Sequence, residues 1–236
     1  MKAELRRHTG LRGKPCLITA SSSGSARILD FSSHVKNVPV GMPLHEAMSR
    51  SPSATLVEAD EMYYQGVFDE IVEALLQTSP LVESSELGRA YVGVNGLEAM
   101  YGGESRLVTA LLNAIPSGFG PRIGLAKSKF PAYIAAVKSG DGSAAKVPDD
   151  VHGFLREFSI DLLPLSWENR ARLHGFGIHT MGQLADMSVG PIQSQCGVEA
   201  RMAWDLANGI DDSPLTPIKY RESVIKSLEF PVPVTS

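Results

Sequence analysis

The sequence lacks any long run of apolar residues, and this absence excludes several classes of protein. A bilayer-spanning helix needs roughly 20 consecutive apolar residues, and no apolar run among the 236 residues approaches that length. Residues 1–14 also lack the apolar centre of a signal peptide. The sequence therefore predicts a cytoplasmic protein without a membrane partner. Its apolar content of 43% can bury a substantial core, as one large domain or two small ones.

Cysteine is scarce as well. Only Cys16 and Cys196 occur, far apart and outside any Cys-x-x-Cys or Cys/His spacing, so neither a disulfide framework nor a zinc site is indicated. We interpret both as buried free thiols. The six histidines are scattered, and the nearest plausible pair, His174 and His179, is five residues apart. That spacing does not place two ligands on one helical face.

Charge of one sign is not in large excess, so only its local distribution is informative. The formal net charge of −4 does not by itself indicate a nucleic-acid binder. Two segments are nevertheless basic, and each is interpreted either as a solvated surface or as a phosphate-binding patch. The basic residues are Lys2, Arg6, Arg7, Arg12 and Lys14 in the first segment, and Arg122, Lys127, Lys129 and Lys138 in the second.

Hydrophobic spacing predicts a mixed α+β order up to residue 147 and short helices after it. Two β-prone runs flank a Ser/Gly-rich stretch, which indicates a hairpin joined by a seven-residue loop. Apolar residues at spacings of three and four predict helices. The predicted strands are 15–18, 26–31, 56–57, 90–94 and 122–126, the loop is 19–25, and the predicted helices are 45–51, 60–78, 105–115, 129–137, 151–158, 166–174, 180–187 and 199–208.

One segment carries a family resemblance. Val82–Leu97, which reads VESSELGRAYVGVNGL, resembles the palm strand of Y-family (translesion) DNA polymerases, or UmuC-domain proteins. In that pattern, V-E-x-x-S-x-D-E-A-Y-x-D-V-x-G-L, Gly88 and Arg89 take the positions of the catalytic aspartate and glutamate. Gly93 takes that of a later aspartate, and Glu86 that of the serine. The matching residues are Ala90, Tyr91, Val94, Gly96 and Leu97.

A second segment, Leu162–Leu184, resembles the helical thumb of the same family, and together the matches imply an architecture. We expect a partial ferredoxin-like palm with a small fingers region, followed by an all-helical thumb with helix-hairpin-helix-like elements. The family's first palm strand, which carries metal-binding aspartates, is expected to be missing. The expected boundaries are an N-terminal and fingers-like region at 1–58, a palm-like region at 59–147, a thumb-like region at 148–212 and a linker at 213–236.

The replacement of the family's carboxylates by Gly88 and Arg89 bears on catalysis. Phosphoryl transfer by two metal ions needs clustered carboxylates, and a cation in their place repels the metal. Alternation along one strand would put Glu86 on the same face as Gly88, which makes Glu86 a weak candidate ligand. The resemblance therefore favours a protein that is not an enzyme, has no metal or other cofactor, and is closest to a catalytically silent ImuB-type branch.

The resemblance also implies binding residues. Phe31 and His34 take the positions of a tyrosine and an arginine that grip the incoming nucleotide, and Lys138 that of a triphosphate-binding lysine. A structural role for Phe31 and His34 is the alternative. Candidate DNA contacts are Lys127, Lys129 and Ser166, with Gly175 and Gly177 in a second hairpin.

The expected function is DNA repair or translesion synthesis through DNA and protein contacts. The partners would be primer-template or damaged DNA, bound weakly, and replication or mutagenesis proteins of the DNA damage response. One alternative is an active error-prone polymerase that uses Mg²⁺, with a site completed by Glu86, Asp60 or upstream acids. Another is a truncated remnant without activity.

Overall fold

The computed structural model describes residues 1–22 and 25–218. Its strands are β1 (Cys16–Ser22), β2 (Ser25–Phe31), β3 (Thr55–Glu58), β4 (Val82–Glu86), β5 (Arg89–Val92), β6 (Arg122–Leu125) and β7 (Ser143–Lys146). Its helices are α1 (Lys2–Arg7), α2 (Leu44–Arg50), α3 (Glu61–Leu76), α4 (Glu98–Tyr101), α5 (Glu104–Ala114), α6 (Lys129–Lys138), α7 (Val151–Leu155), α8 (Trp167–Gly175), α9 (Met181–Ala185) and α10 (Val189–Ala207). The mixed α+β class is thus confirmed.

The first sheet has the strand order β2-β1-β3. β1 pairs antiparallel with β2, which confirms the predicted hairpin, and parallel with β3. The seven-residue loop is wrong, because β1 continues to Ser22 and β2 starts at Ser25. Small polar residues are poor strand formers, but here they extend an established ladder of backbone hydrogen bonds. One side of the sheet packs on α2 through a core that contains Leu17, Ile28 and Met42.

The long helix α3 confirms the amphipathic pattern. Asp60 caps it by accepting a hydrogen bond from the Tyr63 amide at 3.1 Å. Its buried face carries Phe68, Val72 and Leu75, which pack against α5 and the first residue of β4. Each such side chain contributes about 1.5–3 kcal/mol when it leaves water.

Helix α1 is held on α3 by a buried polar contact. The Tyr64 hydroxyl donates to the Glu4 carboxylate at 2.7 Å, and the Glu4 side chain is only 2% exposed. Burial, together with the hydrogen bond to Glu4, raises the pKa of Tyr64. Arg7 adds an exposed ion pair with Asp60 at 2.6 Å. Part of the positive charge of residues 1–14 is therefore paired within the protein.

The segment that resembles the palm strand is a hairpin. β4 and β5 pair antiparallel, and Glu86 lies opposite Arg89 in the register. Gly88 lies in the turn between them with a φ of 84°, in the left-handed region that favours glycine. The argument that Glu86 and Gly88 share one face of a continuous strand is therefore wrong, because alternation stops at the turn.

β6, α6 and β7 form a parallel pair of strands with a helix in the crossover. The strand at β7 was not predicted, because its sequence, SAAK, has no β-branched or aromatic residue. Pairing with β6 creates it. Among the described residues, β4–β5 and β6–β7 are separate two-stranded sheets.

The region after residue 150 is helical, as predicted, but the helices differ in extent. α7 ends at Leu155 rather than at 158. α10 begins at Val189, ten residues before the predicted start, and contains a kink at Gly197, where φ is 74°. The first half of this helix contains two glycines and a proline, which are poor helix formers, and for that reason the sequence did not indicate a helix there.

The helical region shares its core with α6. Phe130 and Ile134 of α6 pack in one cluster with Leu155, Leu173 and Leu184. Both cysteines are free and buried, which confirms that prediction. In the part of the chain that is described, no helix combines the length and apolar character needed to cross a membrane.

Candidate functional site

The tip of the β4–β5 hairpin holds Gly88 and Arg89, the residues predicted from the sequence to take the acid positions. The Arg89 guanidinium donates to Glu86 Oε1 at 3.3 Å. The guanidinium carbon also lies 3.7 Å from the centre of the Tyr133 ring, on α6. A cation over an aromatic face is stabilised by the ring quadrupole. Arg89 is thus fixed between Glu86 and Tyr133, where the family pattern has a carboxylate.

Tyr91 lies beside this pair on β5. Burial raises the pKa of its phenol, and the charge of Arg89 opposes the rise. At neutral pH its hydroxyl is therefore protonated.

The acids of this region do not fit a divalent metal ion. Mg²⁺ prefers several carboxylate and water oxygens in octahedral geometry. Glu86 is 66% exposed and paired with Arg89. Asp60 caps α3, and the Arg7 guanidinium that donates to it lowers its pKa. Within residues 1–22 and 25–218, no three His, Cys, Asp or Glu side chains are grouped so that they could hold a metal ion.

Glu83 and Lys129 form the most buried ion pair beside the hairpin. Lys129 Nζ lies 2.7 Å from the Glu83 carboxylate, and the two side chains are 17% and 14% exposed. Glu83 also accepts the amide of Thr216 at 2.6 Å. Burial opposes ionisation of Glu83, but the hydrogen bonds from Lys129 and Thr216 outweigh it and lower its pKa. Lys129, predicted to contact DNA, is thus held by an internal carboxylate.

The remaining predicted basic and aromatic residues lie apart from the hairpin tip. Lys127 is exposed in the turn before α6. Lys138 lies at the other end of α6, with its ammonium 5.3 Å from the Phe154 ring centre. Phe31 packs beside the core of the first sheet, and His34 is exposed. Nucleotide binding by Phe31, His34 and Lys138 stays a prediction.

The start of α8 is occupied by a carboxylate from α10. Ser166 caps α8, and its hydroxyl donates to Glu199 at 2.9 Å. Glu199 also accepts the Ser166 amide and the Asn169 side-chain amide. A helix N-terminus favours an anion because its first amides have no partner within the helix. Here Glu199 supplies that anion, at Ser166, which was predicted to contact DNA.

The second thumb hairpin turns at Gly175 and Gly177, and Gly177 has a φ of 79°. This turn brings together two histidines that sequence spacing had kept apart. The Nδ1 atoms of His174 and His179 are 2.8 Å apart, and His174 Nε2 lies 2.9 Å from Asp161. The spacing argument holds within one helix, whereas His179 follows the turn. The glycines that end α8 were the signal that could have revealed this cluster.

Comparison with known families places the chain. A sequence model of the impB/mucB/samB family matches residues 1–137, more than half of the chain. The chain belongs to this family. Among curated relatives, it is 25% identical over 226 residues to DNA polymerase IV of Dehalococcoides mccartyi, and 29% identical over 228 residues to DNA polymerase IV 2 of Halalkalibacterium halodurans. These alignments cover 93% and 91% of the chain but only 58% and 55% of the relatives.

Solved structures of the same class share the fold. The crystal structure of DinB from Sulfolobus solfataricus matches 92% of this chain and 66% of its own, with a TM-score of 0.67 and 22% identity. The insertion ternary complex of Dbh DNA polymerase matches 91% of this chain and 65% of its own, with a TM-score of 0.62 and 22% identity. The predicted α+β class, with a fold like that of the Y-family polymerase palm and fingers, is thereby confirmed.

These relatives correct three expectations. The expectation that the chain is not an enzyme is contradicted, because the curated family members that it matches are named as DNA polymerases. Nothing in the comparisons supports the catalytically silent ImuB-type branch. The expectation of no cofactor is likewise unsupported, because Y-family DNA polymerases use Mg²⁺. Gly88 and Arg89 describe one hairpin tip, and they do not determine whether the whole protein is an enzyme.

Proposed function

We propose that the protein acts in DNA damage tolerance as an error-prone Y-family DNA polymerase that extends primer-template DNA. The observation that carries this proposal is the continuous relationship to enzymes named DNA polymerase IV, which covers 93% of the chain in one alignment. The chain spans little more than half the length of those relatives. Polymerase activity, which belongs to the whole protein, is therefore proposed here.

The reaction would be nucleotidyl transfer. The primer 3′-hydroxyl loses its proton and attacks the α-phosphorus of a nucleoside triphosphate, a new P–O bond forms, and pyrophosphate leaves. Mg²⁺ supplies charge neutralisation and positions the two oxygens in such reactions. The described carboxylates do not fit that ion, so the proposal assigns it no ligand among them.

Binding of the DNA backbone is the part of the proposal that the described surface supports most directly. Lys127 is exposed, and Lys129 follows it at the N-terminus of α6. Lysine suits a phosphate as a point charge without strict geometry. We propose that this end of α6 contacts DNA, with Gly175 and Gly177 of the thumb hairpin as a second contact. Salt dependence of binding would reveal such phosphate contacts.

We propose the boundaries that the sequence predicts: an N-terminal and fingers-like region at 1–58, a palm-like region at 59–147, a thumb-like region at 148–212 and a linker at 213–236. The core shared by α6 and the helical region supports a palm and thumb that unfold together. The linker extends to 236, and its residues 219–236 lie outside the described part. A replication or mutagenesis protein as partner remains a prediction that no described feature tests.

A primer-extension assay on the full protein tests the function. We expect added nucleotides in Mg²⁺ or Mn²⁺, together with fluorescence-anisotropy binding to the same primer-template DNA that weakens as salt rises. Binding without extension in either metal would overturn the polymerase proposal, and loss of both would also overturn the proposed DNA contact.

Two variants test the remaining acid at the hairpin tip. Glu86→Gln removes the carboxylate paired with Arg89, and Glu104→Gln removes an exposed carboxylate paired with Lys146 at 2.7 Å as a matched control. Extension lost only in Glu86→Gln would assign Glu86 to the reaction. Equal rates in both variants would remove it from consideration.

A further inference from the structure

The segment after α10, residues 211–218, lies across the palm-like region instead of leaving it. We call this segment the strap. The amide of Ile218 donates to the carbonyl of Val82 at 2.8 Å, and the amide of Thr216 donates to Glu83 at 2.6 Å. The strap therefore runs beside β4, the strand whose other edge pairs with β5. An edge strand covered in this way is protected from other pairing.

The strap is also fastened at the start of α6. Ser128, at the N-cap position, makes no capping hydrogen bond through its side chain. Asp211 takes that role, because its carboxylate accepts the amide of Phe130 at 2.6 Å. The first amides of a helix lack partners within the helix and favour a negative charge. Asp211 thus supplies an anion from the strap to the helix end that carries Lys129.

The central fastening depends on one ion pair. Lys129 Nζ lies 2.7 Å from both carboxylate oxygens of Glu83, and one of them, Oε2, also accepts the Thr216 amide. Lys129 has no other carboxylate partner among the described residues. If Lys129 turns to another anion, Glu83 is left mostly buried without its counter-charge. Without that counter-charge, burial disfavours the negative charge on Glu83, and the hydrogen bond from the Thr216 amide then loses its charge assistance.

The composition of the strap makes its release cooperative. Pro214 and Pro217 have no amide hydrogen and restrict the backbone to extended conformations. Leu215 packs against Gly93, where an added Cβ would lie 3.0 Å from the leucine side chain. A short, stiff segment held by two acid-mediated contacts and one backbone bond opens as a unit.

We propose that a DNA backbone phosphate competes with Glu83 for Lys129, and that DNA binding thereby releases the strap from β4. This inference rests on the proposed DNA contact of α6. Exposed Lys127 next to the pair draws the phosphate in, and Glu83 and Asp211 hold the positions that phosphates take after release. DNA binding would then free residues 211–218 from the palm-like region.

Hydrogen exchange measured by mass spectrometry on the full protein tests the strap. Exchange of peptides that contain Thr216 and Ile218 is compared with and without primer-template DNA at low salt. In the wild type, we expect saturating DNA to speed this exchange about tenfold, the scale of one lost charge-assisted hydrogen bond. Glu83→Gln keeps an acceptor for the Thr216 amide but loses the charge that strengthens this bond, so without DNA we expect faster exchange than in the wild type, and little further change when DNA is added.

Glu104→Gln is the matched control, because it neutralises a carboxylate at the same 2.7 Å from a lysine, on the exposed surface. It should behave as the wild type. Bound DNA with an unchanged strap would overturn the release, and equal strap exchange in Glu83→Gln and the wild type would overturn the fastening. Fluorescence anisotropy on the same samples separates the two proposals. If no DNA binds, both the proposed DNA contact of α6 and the release of the strap are overturned. The comparison of Glu83→Gln with the wild type still decides whether Glu83 holds the strap.

Discussion

Replacement of Gly124 by alanine should destabilise the protein strongly, because β6 touches the backbone of α6 at this glycine. A Cβ added to Gly124 would lie 2.6 Å from the Ala136 amide nitrogen and would overlap the carbonyl oxygen of Ala132. Both obstacles are backbone atoms of one helix, so no side-chain rotation can relieve the clash. The strand or the helix must move.

The size of the effect follows from this geometry. Overpacking a well-packed site costs about 1–3 kcal/mol, and a backbone clash lies at the upper end, so we expect about 3 kcal/mol or more. For a protein of this length, each kcal/mol lowers the melting temperature by about 2–4 °C. Gly124→Ala should therefore melt at least about 6 °C below the wild type in calorimetry.

Gly66→Ala provides a control with the same chemical change and the opposite sign. Gly66 is exposed in the middle of α3, and an added Cβ would meet no atom within 4 Å. Alanine there should stabilise by about 0.5–1 kcal/mol, because glycine loses more backbone freedom when it becomes helical. The reasoning would be refuted if Gly124→Ala melted as the wild type does, or if the two variants shifted in the same direction.

Two further predictions concern single carboxylates. Asp60→Ala should lower the unfolding free energy by about 1 kcal/mol through loss of the α3 cap, whereas Asp60→Asn keeps an acceptor for the Tyr63 amide and should lose less; equal losses in urea denaturation would argue against capping. The folded-state pKa of Glu83 lies below its ordinary value, so its contribution is complete above the unfolded-state pKa and is lost as pH falls through the folded-state pKa. The stability of Glu83→Gln should therefore depend less on pH below about 4.5 than that of the wild type, and parallel pH profiles would contradict the assignment.

The local sequence was sufficient where a pattern repeats within one element. The spacing of apolar residues identified α3, and the two β-prone runs identified the β1–β2 hairpin. The match at Val82–Leu97 identified the family that residues 1–137 confirm. The same reasoning failed at the function, because altered residues at one hairpin tip do not determine the activity of a protein whose relatives are DNA polymerases.

Only the tertiary structure decided the contacts between residues that are far apart in the chain. β7 forms because β6 lies beside it, and its own four residues show no hydrophobic periodicity that predicts a strand. Lys129 is paired with Glu83, 46 residues away, and Asp211 caps a helix 81 residues before it. Sequence spacing describes which side chains share a face of one element, whereas pairing between elements depends on how the whole chain packs. The sequence thus determined the family and the order of elements, and the tertiary structure decided which of its charges are already engaged.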